Sequence, residues 1–232
     1  MSWALSALLV GAVRPLGGDG QTSAIDKRPV ERPLWLSAAG LEGDAQADGR
    51  HHGGADKALH HYPLDHYAAW RDEIGDRPAL AGAGGFGENL ATRGLVETDM
   101  ALGDRFRLGG ALIEVSQARQ PCWKLNRRFA QPDMARRVQA CGRTGWYYRV
   151  LEPGLVAPED RLERVDRRDP DWTIARLVRL LYITPHDRDT LRALQAVPDL
   201  PAPWHRLIAY RLETGRVEDW TARLLGPDAE PG

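Results

Sequence analysis

Cys122 is the side chain best placed to do chemistry in this sequence. It sits in Ser116-Gln117-Ala118-Arg119-Gln120-Pro121-Cys122-Trp123-Lys124-Leu125-Asn126. A thiol acts as a nucleophile or metal ligand only as the thiolate, and nearby cations favour that form. Arg119 and Lys124 lie within three residues of it, one on either side. Pro121 fixes the backbone angle before the thiol and removes one amide donor. The segment therefore reads as the end of a strand that turns and presents one thiol in a positive setting. The same residues also fit a buried structural cysteine, because free Cys is among the most buried residue types. Both readings stand at this point.

Two glycine-rich segments could serve such a thiol. In His51-His52-Gly53-Gly54-Ala55-Asp56-Lys57, the paired Gly53 and Gly54 let backbone amides approach an anion, and Lys57 adds a point charge. His52 could donate to a phosphate or tune a bound metal. The plain alternative is a turn leading into a strand. In Gly82-Ala83-Gly84-Gly85-Phe86-Gly87-Glu88-Asn89-Leu90, a glycine run precedes a strand start. Glu88 and Asn89 set an acceptor beside an amide, a pair suited to the edge of a heterocycle. This is not a P-loop, since the Gly-Lys-hydroxyl ending is absent. The chain has seven histidines, but none has HExxH spacing and the cysteines form no zinc pattern. Nor is there a Gly-x-Ser-x-Gly elbow. Trp146-Tyr147-Tyr148 reads as core packing rather than a ligand platform.

These groups need a scaffold. Strands are expected at 2–13, 34–38, 57–62, 86–91, 104–108, 111–118, 145–151 and 161–167, with Gly109-Gly110 as a hairpin turn. Many short strands with frequent turns point to a barrel or sandwich. Two helices interrupt them. One starts at Pro63 with Leu64, Tyr67, Trp70 and Ile74 at helical spacing, and one starts near Pro132 with Met134, Val138 and Cys141. After Asp169-Pro170 the pattern turns helical. Asp171 or Thr173 can cap a helix with Ile174, Leu177, Val178 and Leu181 on its apolar face. Further helices are expected at 187–196, 203–213 and 217–225. The fold class is thus mainly β with α, divided into a β domain over 1–168 and a small helical bundle over 169–232.

Composition narrows the function. A chain of 232 residues, 43% hydrophobic and 27% charged, is a folded globular protein of one domain or one with an appendage. A net charge of -1 argues against a general nucleic-acid binder. Lysine occurs only at 27, 57 and 124, and the last two fall inside motifs. Cys122 and Cys141 do not make a disulfide framework. Residues 1–13 read as a strand rather than a signal peptide, and no run approaches the ~20 apolar residues of a membrane span. A cytoplasmic location with no membrane partner is the expectation.

In order along the chain come His52-Gly53-Gly54-x-Asp56-Lys57-Ala58, Phe86-Gly87-Glu88-Asn89-Leu90, Gly103-Asp104-Arg105-Phe106 and Gln117-x-Arg119-x-Pro121-Cys122-x-Lys124-Leu125. Together these resemble the MOSC domain, the molybdenum cofactor sulfurase C-terminal domain, in its stand-alone YiiM type with a helical three-alpha domain. The resemblance spans roughly 2–225. It implies a β-barrel that binds the molybdenum–pterin cofactor with Cys122 as molybdenum ligand. His52, Gly53, Gly54, Lys57, Glu88, Asn89, Arg119 and Lys124 would be its cofactor-binding residues. It also implies reduction of N-hydroxylated compounds, such as modified bases, with electrons from a separate redox protein. A sulfur (persulfide) or cofactor carrier is the alternative, and a binding module with an inert cysteine is a third. The amidoxime-reducing members carry Arg directly before the cysteine, where this chain has Pro121. The charged outer faces of the helical tail suggest a docking surface for the electron donor, apart from the metal site.

Overall fold

The computed structural model describes residues 1–18, 20–47, 53–198, 200–227 and 229; His51 and His52 lie outside the described residues. Strands form at Ser2–Ala4 (β1), Ala7–Val10 (β2), Arg14–Pro15 (β3), Thr22–Ser23 (β4), Arg28–Pro29 (β5), Leu34–Ser37 (β6) and Gly40–Leu41 (β7). They continue at Leu59–Pro63 (β8), Leu90–Thr92 (β9), Arg105–Leu108 (β10), Ala111–Ala118 (β11), Trp146–Glu152 (β12), Gly154–Val156 (β13) and Arg161–Asp166 (β14). Helices form at His66–Ile74 (α1), Lys124–Arg128 (α2), Met134–Cys141 (α3), Ile174–Val178 (α4), Arg188–Gln195 (α5), Ala202–Thr214 (α6) and Thr221–Leu225 (α7).

The main sheet has nine strands in the order β1-β14-β10-β11-β12-β8-β9-β2-β5. Only Leu5 and Ser6 separate β1 from β2, although these strands are first and eighth in that order. So short a link reaches about 10 Å, whereas seven strand spacings laid flat would span about 33 Å. The sheet therefore curls until its ends meet across this link. Leu5 N–H donates to Asp160 and Ser6 N–H to Ala91, one toward each end of the sheet. The ladder itself does not close into a ring: β1 pairs with β14, and β2 with β9 and β5. The expected barrel is thus a mixed, curled sheet joined by chain continuity.

Ala111–Ala118 forms the strand expected of it, and Gly109 makes the hairpin turn with φ 54°. The 86–91 expectation shrinks to Leu90–Thr92 because Glu88 captures the amides of Gly84 and Phe86, which a ladder would have needed. Pro63 ends β8 rather than starting α1, which begins at His66 and buries Tyr67, Trp70 and Ile74. In α3, Met134 and Val138 are buried but Cys141 is exposed.

Thr173 caps α4 by accepting from Arg176 N–H at 3.2 Å, and Ile174, Leu177, Val178 and Leu181 are all buried. Trp204 and Ile208 pack inward as expected. One hydrophobic cluster runs unbroken from Leu8, Phe106 and Trp146 of the sheet to Leu177, Leu194 and Ile208 of the helices. A second cluster, built on Tyr62, Trp70, Phe86, Phe129 and Val138, supports the glycine loop.

Candidate active site

Strand alternation decides which side chains of two adjacent strands face the site. His60 of β8 stands opposite Tyr147 of β12, with ring centroids 5.1 Å apart, and both line one cleft. Their neighbours His61, Trp146 and Tyr148 turn to the other face and are fully buried. A register irregularity lies between Val115 and Gln117 where β11 meets β12. Such bulges bend a strand and re-aim the residues that follow.

Past β11, the Arg119 amide still holds the Gly145 carbonyl at 3.1 Å, after which the chain turns. Cys122, 8% exposed, enters the cleft, and its carbonyl accepts from Leu125 N–H to begin α2. Lys124, the first residue of α2, lines the same cleft. Lys57 arrives on a single 3-10 turn, Ala55–Lys57, whose N–H bonds the Gly54 carbonyl. Ser116 Oγ fixes that turn by donating to the Asp56 carbonyl at 2.5 Å.

The structure thus gathers Cys122, Lys57, Asn89, Arg119 and Lys124 around one cleft. Three proposed cofactor contacts are placed otherwise. Gly53 and Gly54 do not line it. Glu88 is fully buried beneath the glycine loop, accepting from Tyr67, Gly84 and Phe86, so it organises the loop from behind. Asn89 reaches the cleft with its amide already committed. Oδ1 accepts from His60 N–H, and Nδ2 donates to Leu9 and Asp44.

Sequence reasoning gave Lys27, His60 and Tyr147 no role at this cleft, and named Asp44 only as part of the His-Gly-Gly feature. Lys27 is buried at the cleft and ion-paired with Asp44. Burial pulls its pKa down, against the opposing pull of Asp44. Asp44 also accepts from Gly11 N–H at 2.8 Å. Gly84 passes so close that a Cβ there would lie 2.3 Å from the Lys27 carbonyl, so the glycine run lets the loop seat against this pair. Burial and the charge of Arg119 hold His60 well below its ordinary pKa, while burial raises Tyr147. The usable signals were the scarcity of lysine and the alternation in His60-His61 and Trp146-Tyr147-Tyr148.

The donor set suits a large anion carrying a soft metal. A thiolate is a soft ligand, and four cations face the same space. Arg119 is 5% exposed, and among the described residues its Nη1 is buried without a hydrogen-bond partner. An orphaned guanidinium nitrogen beside a cleft is matched by an anionic acceptor. Among the described residues, no three His, Cys, Asp or Glu side chains gather to hold a metal ion by themselves. Among the described residues, no helix is long and apolar enough to cross a membrane.

Comparison with known proteins agrees with this architecture. Residues 48–163 match the MOSC domain, and residues 172–215 match the YiiM-like, 3-alpha helix domain. The chain is 42% identical over 208 residues to Protein YiiM of Escherichia coli (strain K12), covering 90% of this chain and 92% of that one. It is 40% identical over 167 residues to a protein named "Reductase" from Gibberella moniliformis (strain M3125 / FGSC 7600), covering 72% of this chain and 29% of that protein. The crystal structure of YiiM from Escherichia coli superposes with a TM-score of 0.82 at 36% identity, covering 97% of this chain and 100% of that one.

Proposed function

The chain belongs to the MOSC domain family, with a YiiM-like 3-alpha helix domain following, and from this we propose that it binds a molybdenum–pterin cofactor and reduces N-hydroxylated compounds. The observation that carries the reading is the convergence of Cys122, all three lysines and the orphaned Arg119 Nη1 on one cleft. The name of the fungal relative supports a reductive reaction.

Cys122 Sγ would be the protein's ligand to the metal. Lys57, Lys124 and Arg119 would hold the anionic groups of the cofactor by charge-assisted hydrogen bonds. When bound, the cofactor supplies a metal able to take up an electron pair and pass it on. The overall change adds two electrons and two protons to R–NHOH, giving R–NH2 and water, with the electrons supplied by a separate redox protein. Lys27 Nζ, paired with Asp44 Oδ2, stands at the cleft wall. Tyr147 and His60 form the aromatic side of the cleft, suited to a flat base.

The test is molybdenum and released pterin per chain, in protein from a host that makes the cofactor, together with turnover of an N-hydroxylated base using dithionite. Near-stoichiometric metal with turnover is expected. A metal-free protein bearing a sulfane adduct on Cys122 would establish the carrier reading instead.

A further inference from the structure

Arg223, in the last helix of the chain, holds both peptide groups that flank Cys122. Its Nη1 donates to the Pro121 carbonyl at 2.6 Å, across 102 residues of sequence. Its own carbonyl accepts from Trp123 N–H at 2.7 Å. The Pro121 carbonyl belongs to the peptide joining 121 to 122, and the Trp123 amide to the peptide joining 122 to 123. Rotations of these two planes about the Cys122 Cα are its φ and ψ, the chain's soft dihedrals, so anchoring both fixes where Cβ points and limits the thiol to the rotamers about that bond. The guanidinium is itself braced: Nη2 donates to Gln139 Oε1 of α3 at 2.6 Å, and the group lies 5.4 Å from the Tyr182 ring. Next to Arg223, the Leu224 carbonyl accepts from Asn126 Nδ2 at 2.8 Å, tying α7 to α2. This corrects the expectation that the helical tail stands apart from the site.

We propose that Arg223 is a positioning residue for the Cys122 thiol, through which the end of the helical tail sets the reactivity of the cleft. The helix that carries it, Thr221–Leu225, lies beyond the part of the chain that matches the 3-alpha domain. Arginine suits this place because its planar fork meets two acceptors at once in a fixed geometry, whereas lysine offers a compact point charge on a flexible stem. The role rests on reading Cys122 as the reactive residue of the cleft, but its test does not need the metal.

The experiment is alkylation of Cys122 by iodoacetamide in the full-length chain, made in a host lacking the pterin cofactor. Mass spectrometry follows each thiol, with exposed Cys141 as the internal reference, and the rate is taken across a pH series. Arg223→Gln is expected to raise the Cys122 rate about tenfold and shift its pH profile, in line with losing one hydrogen bond to a charged donor. Arg223→Lys should recover part of the change. Gln139→Leu, which removes the brace and leaves Arg223 in place, should move Cys122 the same way by less. A variant that melts at a lower temperature yet keeps the wild-type Cys122 rate and profile would show a merely structural role and overturn the proposal. Failure of the molybdenum reading would instead appear as absent metal in wild-type protein, whatever the alkylation result.

Discussion

The hydroxyl of Tyr67 donates to Oε1 of Glu88 across 2.6 Å, and the same oxygen accepts from Gly84 N–H at 2.7 Å while Oε2 accepts from Phe86 N–H at 3.0 Å. Burial pushes the Glu88 carboxyl up, and these donors pull it back. Glu88→Ala would leave three buried donors unmet, at about 1–3 kcal/mol each. Urea unfolding of cofactor-free protein should show a loss of several kcal/mol. A variant of unchanged stability that no longer retains cofactor would mean that Glu88 reads the ligand directly.

Cys122→Ser should fold normally and lose bound molybdenum and N-reduction together. Cys141→Ser should keep both, because Cys141 is exposed at the end of α3 and accepts from Arg143 Nε at 3.2 Å outside the cleft. Metal analysis of the two purified variants decides the assignment, and the opposite pattern reverses it.

The cations of the cleft should separate by mechanism. Lys57→Met and Lys124→Met should weaken cofactor retention about tenfold each. Lys27→Met leaves Asp44 buried without its cation, so it should also destabilise the fold by about 3–5 kcal/mol. Cofactor release kinetics beside thermal unfolding of the cofactor-free protein gives both readings. Equal retention in all three variants would count against the cleft as the cofactor site.

Stability should fall on mild acidification. His61, bonded to the Tyr148 hydroxyl at 3.0 Å and the Thr92 hydroxyl at 2.9 Å, is driven by burial to a pKa of about 3, and His60 shifts the same way. Unfolded imidazoles take up a proton near pH 6.5. Between pH 6.5 and 3 the unfolded chain therefore binds a proton at His61 that the native chain refuses, so this stability is complete above 6.5 and drains away as pH drops toward 3. The loss is about 1.4 kcal/mol per pH unit per histidine well inside that window. Buried Glu88 and Asp104, both raised, act in the opposite sense as pH falls toward their ordinary carboxyl values. Denaturation of His61→Gln should accordingly show a flatter pH dependence than wild type between pH 6 and 5. Parallel curves would sink the explanation.

Much of this was legible in residues. The Ala111–Ala118 strand, the α4 face and the Cys122 turn follow from alternation, helical period and proline geometry. What escaped was set by pairing across the chain. Nothing local at Lys27 announces that Asp44 and Asn89 will bury it at the cleft. Nothing near Arg223 announces Pro121 as its partner. Glu88 was misplaced for the opposite reason. The motif marked it as important, but only the backbone conformation of Gly84–Phe86 reveals that its acceptors are used from behind. Curling of the sheet likewise follows from the short link between β1 and β2 once pairing is known, and from no pattern within either strand.

None of the chain's three lysines lies on the outer surface: Lys27 is buried, Lys57 and Lys124 are half-buried, and all three border the cleft. To an acylating or Schiff-base-forming reagent, the outside of the molecule therefore offers few lysine targets. Lysine crosslinkers and surface-tagging chemistries find little to hold, while arginine keeps the exterior charged and inert to them. Any lysine adduct falls on a residue that borders the cleft, which turns an ordinary labelling reagent into a gauge of whether the cleft is filled.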